Sequence, residues 1–323
     1  MRTLFLSLFG MFALIFTPLK GEEESTIVFV HIGENIPSYL DCALIQARLF
    51  NDCKIVLIAN SAPLKQYRKF LEKHGITGVA CEDLKKTAHH KRFIKRSPLD
   101  KQFRDGFWYF ASERFFYLDD MMQQYQMNNV VHLESDVMLY VDLSEISPIL
   151  EKHYSGLGVT FDTDQRCIPG IVFIRNPQVI SQLTECMMHL DGKDDMMAIG
   201  EFRRRVGREK VKTLPIVQRE YIEDQDVDSS SPEDYANLVE EFQSIFDAAY
   251  HGQYLGGEDP RNGPAGPGFV NPHCVIKSSL LEYTWERDAE ERLVPFAHFQ
   301  GKKLRINNLH IHCKRLWDFY SIK

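Results

Sequence analysis

The chain has no apolar run of the roughly 18 to 20 residues that crosses a bilayer without a charge, which excludes a multi-pass membrane protein. It has no excess of positive charge. With 38 Lys and Arg against 45 Asp and Glu, the net charge is −7, so a general nucleic-acid binder relying on a basic surface is not expected, and no nucleic acid is expected as a partner. Its seven cysteines, at 42, 53, 81, 167, 186, 274 and 313, form no CxxC and keep no regular spacing, which argues against a zinc ribbon or a small disulfide scaffold. GxSxG, Walker, HExxH and Cys–His signatures are absent too, leaving a triad hydrolase, an NTPase and a zincin without support. No internal repeat is found. What is present is 323 residues, 44% of them hydrophobic and 26% charged, enough to bury a core and enclose a pocket.

The first segment reads as a leader. Arg2 precedes an apolar stretch from Leu4 to Phe16, followed by Pro18, Lys20 and an acidic run from Glu22. That is the order of a secretory signal over residues 1–21. Pro18-Leu19-Lys20-Gly21 lacks a small-x-small cleavage pattern, so an uncleaved signal anchor is the alternative. Either way the body is expected to be exported, to a Golgi-like lumen or another extracytoplasmic space, with any membrane attachment running through this segment. One or two disulfides would suit an exported chain; the other reading makes the cysteines small buried apolar residues.

Thr26 to His31 is a short β-branched run ending near Gly33, and Lys54 to Asn60 is a second; each suits a strand buried on both faces. Between them, Leu40, Ala43, Leu44, Ala47 and Leu49 recur with helical period after Pro37. A helix over Ser61 to His74 and a strand over 76–80 follow. This alternation predicts an α/β fold with a Rossmann-like sheet covered by helices. Next comes a long helix from Phe107 to Tyr125, with Phe110, Phe115, Leu118, Met121 and Met122 toward the core, and a strand at Val130 to Leu133. Strands are also expected at 158–161 and 170–174, an exposed acidic loop at 219–234, and a helix from Tyr235 to Tyr250. A Gly/Pro-rich loop over 252–268 and a closing strand from Leu304 to Ile311 complete the reading.

The most informative stretch is Glu134-Ser135-Asp136, where an apolar strand delivers two carboxylates to its C-terminal end. In open α/β sheets that end is where ligands bind. A spacing of two puts both carboxylates on one side of an extended backbone, able to hold one hard divalent cation. Taken alone, the triplet is equally a solvated acidic turn.

The order of elements gives it context. Three β/α units, an Arg-bearing helix and a strand ending in acid-x-acid resemble the nucleotide-sugar half of a glycosyltransferase of the GT-A fold, with Glu134-Ser135-Asp136 in place of DxD. Glutamate for the first acid is a departure from the motif. Ile168 to Asn176, with Gly170, is similar to the strand bordering the donor sugar. Asp194-Asp195-Met196 is similar to the step that sets a carboxylate beside the transferred sugar. His310-Ile311-His312-Cys313-Lys314 resembles the late His of metal-dependent members. The resemblance implies a single GT-A-like domain with a mixed sheet flanked by helices, a donor half at about 25–218 and an acceptor half at about 235–323. It implies Mn²⁺ or Mg²⁺, a nucleotide-sugar donor, and a hydroxyl acceptor on a glycan, protein or lipid. Glu134, Asp136, His310 and His312 are then the metal set, with His312 preferred. His31, Asn60, Arg114, Glu134, Ser135 and Lys314 surround the nucleotide, and Asp195 and Asp194 are the catalytic acids. Gly170, Gly256, Gly257, Glu258 and Asp259 contact substrate, the last four from the acceptor side.

Each residue has a plainer reading. Asp194 and Asp195 suit a helix N-terminus, a late His is often structural, and the Gly256-Gly257 loop is also a surface turn. Arg114 could pair with Glu113 or Asp119 on the surface. The basic run Lys85 to Arg96 either attracts an acidic acceptor or lipid headgroup or is a solvated helix face. Two rivals remain: a carbohydrate-binding or degenerate transferase-like protein without turnover, and, with less support, a metal-dependent phosphohydrolase. Calorimetry with nucleoside diphosphates and Mn²⁺ separates the first, release of free phosphate would reveal the second, and geometry tests the metal set. A separation above about 15 Å between Asp136 and both His310 and His312 exceeds what side-chain rotation recovers.

Overall fold

The computed structural model describes residues 25–190, 192–263 and 265–322. The leader expected over 1–21 lies outside them, and no helix among the described residues is long and apolar enough to cross a membrane. The chain is a mixed α/β structure. Its first part runs β1 (Thr26–His31), α1 (Tyr39–Phe50), β2 (Ile55–Ala59), α2 (Ser61–Lys73), β3 (Thr77–Ala80), α3 (Ala88–Arg96), α4 (Phe107–Tyr125), β4 (Val130–Leu133) and β5 (Val137–Leu139). Then come α5 (Leu143–His153), β6 (Leu157–Phe161), β7 (Cys167–Ile174), α6 (Pro177–Met187), α7 (Asp195–Val206) and β8 (Val211–Thr213). The remainder holds α8 (Arg219–Asp224), α9 (Val239–Phe242), β9 (Ser244–Ile245), α10 (Tyr250–Gly256), β10 (Glu282–Arg287), β11 (Leu293–Phe299), β12 (Lys302–Ile306) and β13 (Asn308–His310).

Seven strands form the main sheet in the order β3-β2-β1-β4-β7-β6-β8. The first four are parallel, while β7 runs antiparallel to both β4 and β6. β1 and β2 are Val/Ile/Leu runs because helices cover both faces, and every residue of β2 is buried. Since β1 and β4 are parallel, in register from Thr26↔Val130 to Phe29↔Leu133, their C-terminal ends open on the same side. The chain leaves β4 straight into Glu134-Ser135-Asp136, and the Val137 N–H closes the turn on the Glu134 carbonyl (3.1 Å). Behind the turn, β5 pairs with β13 in a two-stranded sheet, Val137 opposite His310. The late histidine thus reaches the acid-x-acid turn through a backbone ladder.

Several sequence expectations need correction: the exposed acidic loop expected at 219–234 begins with α8, whose Tyr221 is buried, and the loop expected from 252 begins inside α10. The helix expected from Tyr235 to Tyr250 is broken by left-handed backbone at Leu238, Gln243 and Ala249, leaving the end of a 3-10 turn (Pro232–Ala236), α9, β9 and the start of α10. The closing strand is two strands, β12 and β13, in different sheets with Asn307 between them. A four-stranded sheet, β10-β11-β12-β9, was not foreseen. Phe110 is also turned outward and 37% exposed, unlike Phe115, Leu118, Met121 and Met122. The cysteines form no disulfide among the described residues, and all but Cys313 are buried.

Candidate active site

Glu134, Asp136 and His310 offer ligand atoms that all lie within 4.8 Å of one another. His310 Nε2 sits 3.0 Å from Glu134 Oε2 and 3.1 Å from Asp136 Oδ1. The other carboxylate oxygens carry cations: Arg114 Nη1 pairs with Glu134 Oε1 and Lys314 Nζ with Asp136 Oδ2. Arg114 extends the chain of charges by donating 2.7 Å to Asp195 Oδ2. It is buried, so the surface pairing with Glu113 or Asp119 is corrected.

These neighbours set the protonation states. Burial alone would raise Glu134, but the Arg114 and His310 charges hold it down to about 2. Asp136 is likewise held well below the usual carboxylate range, by Lys314 and His310 against burial. Burial would lower His310, yet Asp136 and Glu134 lift it to about 10. Asp195 goes the other way: burial, only partly opposed by Arg114, raises it to about 6. An acid so placed in a cleft suits proton transfer.

These groups lie in a cleft of about 440 Å³, a size that holds a small organic ligand. Val30, His31 and Ile32 line it at the end of β1, and Tyr39, Lys314 and Asp259 stand on the side of Asp136. The start of α4 contributes Phe107, Trp108 and Phe110. Across the mouth, Arg104 donates to Asn262 Oδ1 (2.7 Å) and to the Arg261 carbonyl (3.2 Å), clasping two loops together.

The structure does not bring every expected residue to the cleft. His312 lines it, but its Nδ1 accepts from Gln253 Nε2 (2.8 Å), burial lowers it to about 3, and it is outside the Glu134–Asp136–His310 cluster. Of the two histidines it is therefore His310, where β13 ends, and not the preferred His312 that the structure sets beside Glu134 and Asp136. Asn60 holds the Gly33 N–H (2.9 Å) and faces Glu82, away from the cleft. Asp194 caps α7, accepting from Met197 N (2.9 Å). Gly256 packs on Cys313 and Phe319, Gly257 ends α10 with φ +95°, and Glu258 accepts from Asn262 Nδ2 (3.1 Å); none of the three is among the cleft's lining. Ser135 and Asp259 do line it, Asp259 already paired with Arg261 (2.6 Å). Gly170 lies outside the lining but supports the site, because a Cβ there would meet His310 Nδ1 at 2.8 Å.

Sequence reasoning missed Asp247. Its buried carboxylate accepts from the N–H groups of His251, Gly252 and His310, each at 2.9 Å, and so fixes the backbone that carries His310. A lone Asp in Phe-Asp-Ala-Ala-Tyr gives no motif that would flag it. Gly170→Ala should leave the fold intact but push the His310 ring off the two carboxylates. Divalent-cation affinity should fall about tenfold or more in a calorimetric titration, since misplacing one ligand typically costs that much.

No family model matches the sequence, and no curated protein does so. Mouse xyloside xylosyltransferase 1 is similar over 67% of this chain and 91% of its own, at 10% identity and a TM-score of 0.42. Glycosyltransferase GlyE of Streptococcus pneumoniae is similar over 56% of this chain at 16% identity and a TM-score of 0.39, and the match spans 43% of its own length. The PaToxG glycosyltransferase is similar over 56% of this chain and 69% of its own, at 12% identity and a TM-score of 0.33.

Proposed function

We propose that the cleft binds a nucleotide-sugar and transfers its sugar to a hydroxyl acceptor with help from a divalent cation. The observation that supports this most is the convergence of Glu134, Asp136 and His310 at the C-terminal ends of parallel β1 and β4, with Lys314 beside them. The donor set suits a hard cation, since two ionised carboxylates and one imidazole already lie at ligand spacing. His310 Nδ1 is buried without a hydrogen-bond partner, so the ring's polar contacts all lie on the carboxylate side. Glu134, Asp136 and His310 would hold Mn²⁺ or Mg²⁺, which supplies positive charge to the diphosphate oxygens as the leaving group departs.

The chain's own groups account for the rest. Lys314, half-shielded beside Asp136, adds a point charge on the leaving side. Arg114 holds Glu134 and Asp195 in fixed orientation from one buried guanidinium. As the anomeric C–O bond to the diphosphate breaks and the bond to the acceptor oxygen forms, Asp195 takes the acceptor's proton or grips a sugar hydroxyl. The aromatic start of α4 excludes water and offers ring faces to a sugar. One observation favours a second reading: Arg114 and Lys314 already neutralise both carboxylates, so a metal-free site could take the diphosphate on cations alone.

A panel of nucleotide-sugars incubated with Mn²⁺ or Mg²⁺ tests the proposal through release of nucleoside diphosphate. Release that needs the cation and stops with chelator is expected. Full release in chelator would favour the metal-free reading, and none from any donor would leave the binding protein without turnover.

A further inference from the structure

A second cavity, of about 250 Å³, lies where α3, α4 and the end of α6 meet, away from the cleft. Phe93, Leu99, Met187 and Met188 give it apolar walls, and Arg92, Arg96 and Lys193 stand around it; no carboxylate is among its lining. Among the described residues none of these three cations has a carboxylate within ion-pair distance. Ser112 of α4 lines the same cavity, 1% exposed, with its hydroxyl lacking any hydrogen-bond partner. A buried hydroxyl left unpaired costs free energy unless something else completes it.

The helix beside this cavity is unusual for an acidic chain. α3 reads Ala-His-His-Lys-Arg-Phe-Ile-Lys-Arg and holds no acid. Its inner side is neutralised, with buried His90 between Asp120 (2.5 Å) and Glu113 (3.3 Å). Its outer side is not. Lys91, Arg92, Lys95 and Arg96 are exposed, with Ile94 (38% exposed) among them. The nearby cations Lys86 and Lys101 are spent on the rings of Tyr117 and Tyr109.

Cations without acids, an exposed apolar residue and an unsatisfied hydroxyl over an apolar cavity match one chemistry: a phosphate-bearing headgroup with an apolar body behind it. We propose that this face docks the protein on an anionic lipid surface, the cavity receiving one headgroup phosphate between Arg92, Arg96 and the Ser112 hydroxyl. Lys91 and Lys95 meet the surrounding negative surface, and Ile94 enters the interface. The inference is independent of what the first cleft catalyses.

Vesicle co-sedimentation of the full chain tests it. Binding should be confined to vesicles mixing phosphatidylglycerol into phosphatidylcholine, and it should weaken as salt is raised. Each cation at an anionic leaflet strengthens binding about fivefold, so Arg92→Glu with Arg96→Glu should cost tenfold or more. Ser112→Ala should weaken binding severalfold with an unchanged melting temperature. Lys65→Glu with Lys69→Glu, on α2, should change little. Equal binding to pure phosphatidylcholine, or equal loss from the α2 variant, would overturn the proposal. So would tight binding of inorganic phosphate without vesicle binding, which would make the cavity a site for a free anion.

Discussion

Asp136→Ala is expected to cut donor turnover at least about a thousandfold, because it removes a carboxylate from the proposed cation site and leaves two cations facing each other across the gap. Asp136 faces His310 at 3.1 Å and pairs with Lys314. His310 is buried and keeps Glu134 at 3.0 Å, while Lys314, partly exposed, loses the carboxylate it is paired with. Breaking a buried ion pair from one side costs about 3 to 5 kcal/mol, so stability should fall as well. Turnover must therefore be measured at a temperature where circular dichroism shows the variant folded. Asp136→Asn, which keeps the shape and the hydrogen-bonding capacity, should lose activity to a similar degree with less loss of stability. Retention of more than a tenth of wild-type turnover in folded Asp136→Asn would remove Asp136 from the chemistry.

Asp195→Asn is expected to separate activity from stability. Transfer should fall about a hundredfold or more if the carboxylate takes the acceptor's proton. Stability should move the other way. Burial raises the Asp195 pKa from 3.8 to about 6 on folding, so the folded chain holds that proton more tightly than the unfolded one. Its contribution is present in full below about pH 4 and is lost as pH rises through about 6. At neutral pH the wild type carries the cost of an ionised buried acid and Asn does not, while Arg114 keeps Glu134 as its partner. Melting temperatures of the two proteins across pH should converge or cross in acid, with Asn equal or higher at neutral pH. A variant markedly less stable at neutral pH, with near-normal turnover, would make Asp195 a structural ion-pair partner.

How much of this was legible depended on what each segment buries. β1, β2 and β4 announce themselves because strands covered on both faces are apolar runs, and α4 is legible as a long stretch with no helix breaker that Asn128-Asn129 follows. β10 and β11 were missed for opposite reasons. Glu282 to Arg287 is mostly solvent-facing, and Pro295 within β11 argues against a strand although it sits in register opposite Trp285. The break between Tyr235 and Tyr250 turns on left-handed backbone at a Leu, a Gln and an Ala. None of those types signals such a turn. At the site, acid-x-acid and the late histidines were visible as residues. Which histidine faces the acids was decided by where β13 stops. Asp247 and the bridging of Arg114 between Glu134 and Asp195 depend on contacts distant in sequence, and no local pattern records them.

Calorimetric titration of nucleoside diphosphates into the full chain, with Mn²⁺ and then with chelator, tests the central claim most directly. The account predicts binding with Mn²⁺ that is lost in chelator and lost in Asp136→Ala. Binding of equal strength in chelator, or binding of free glycans with none of any nucleoside diphosphate, would contradict it.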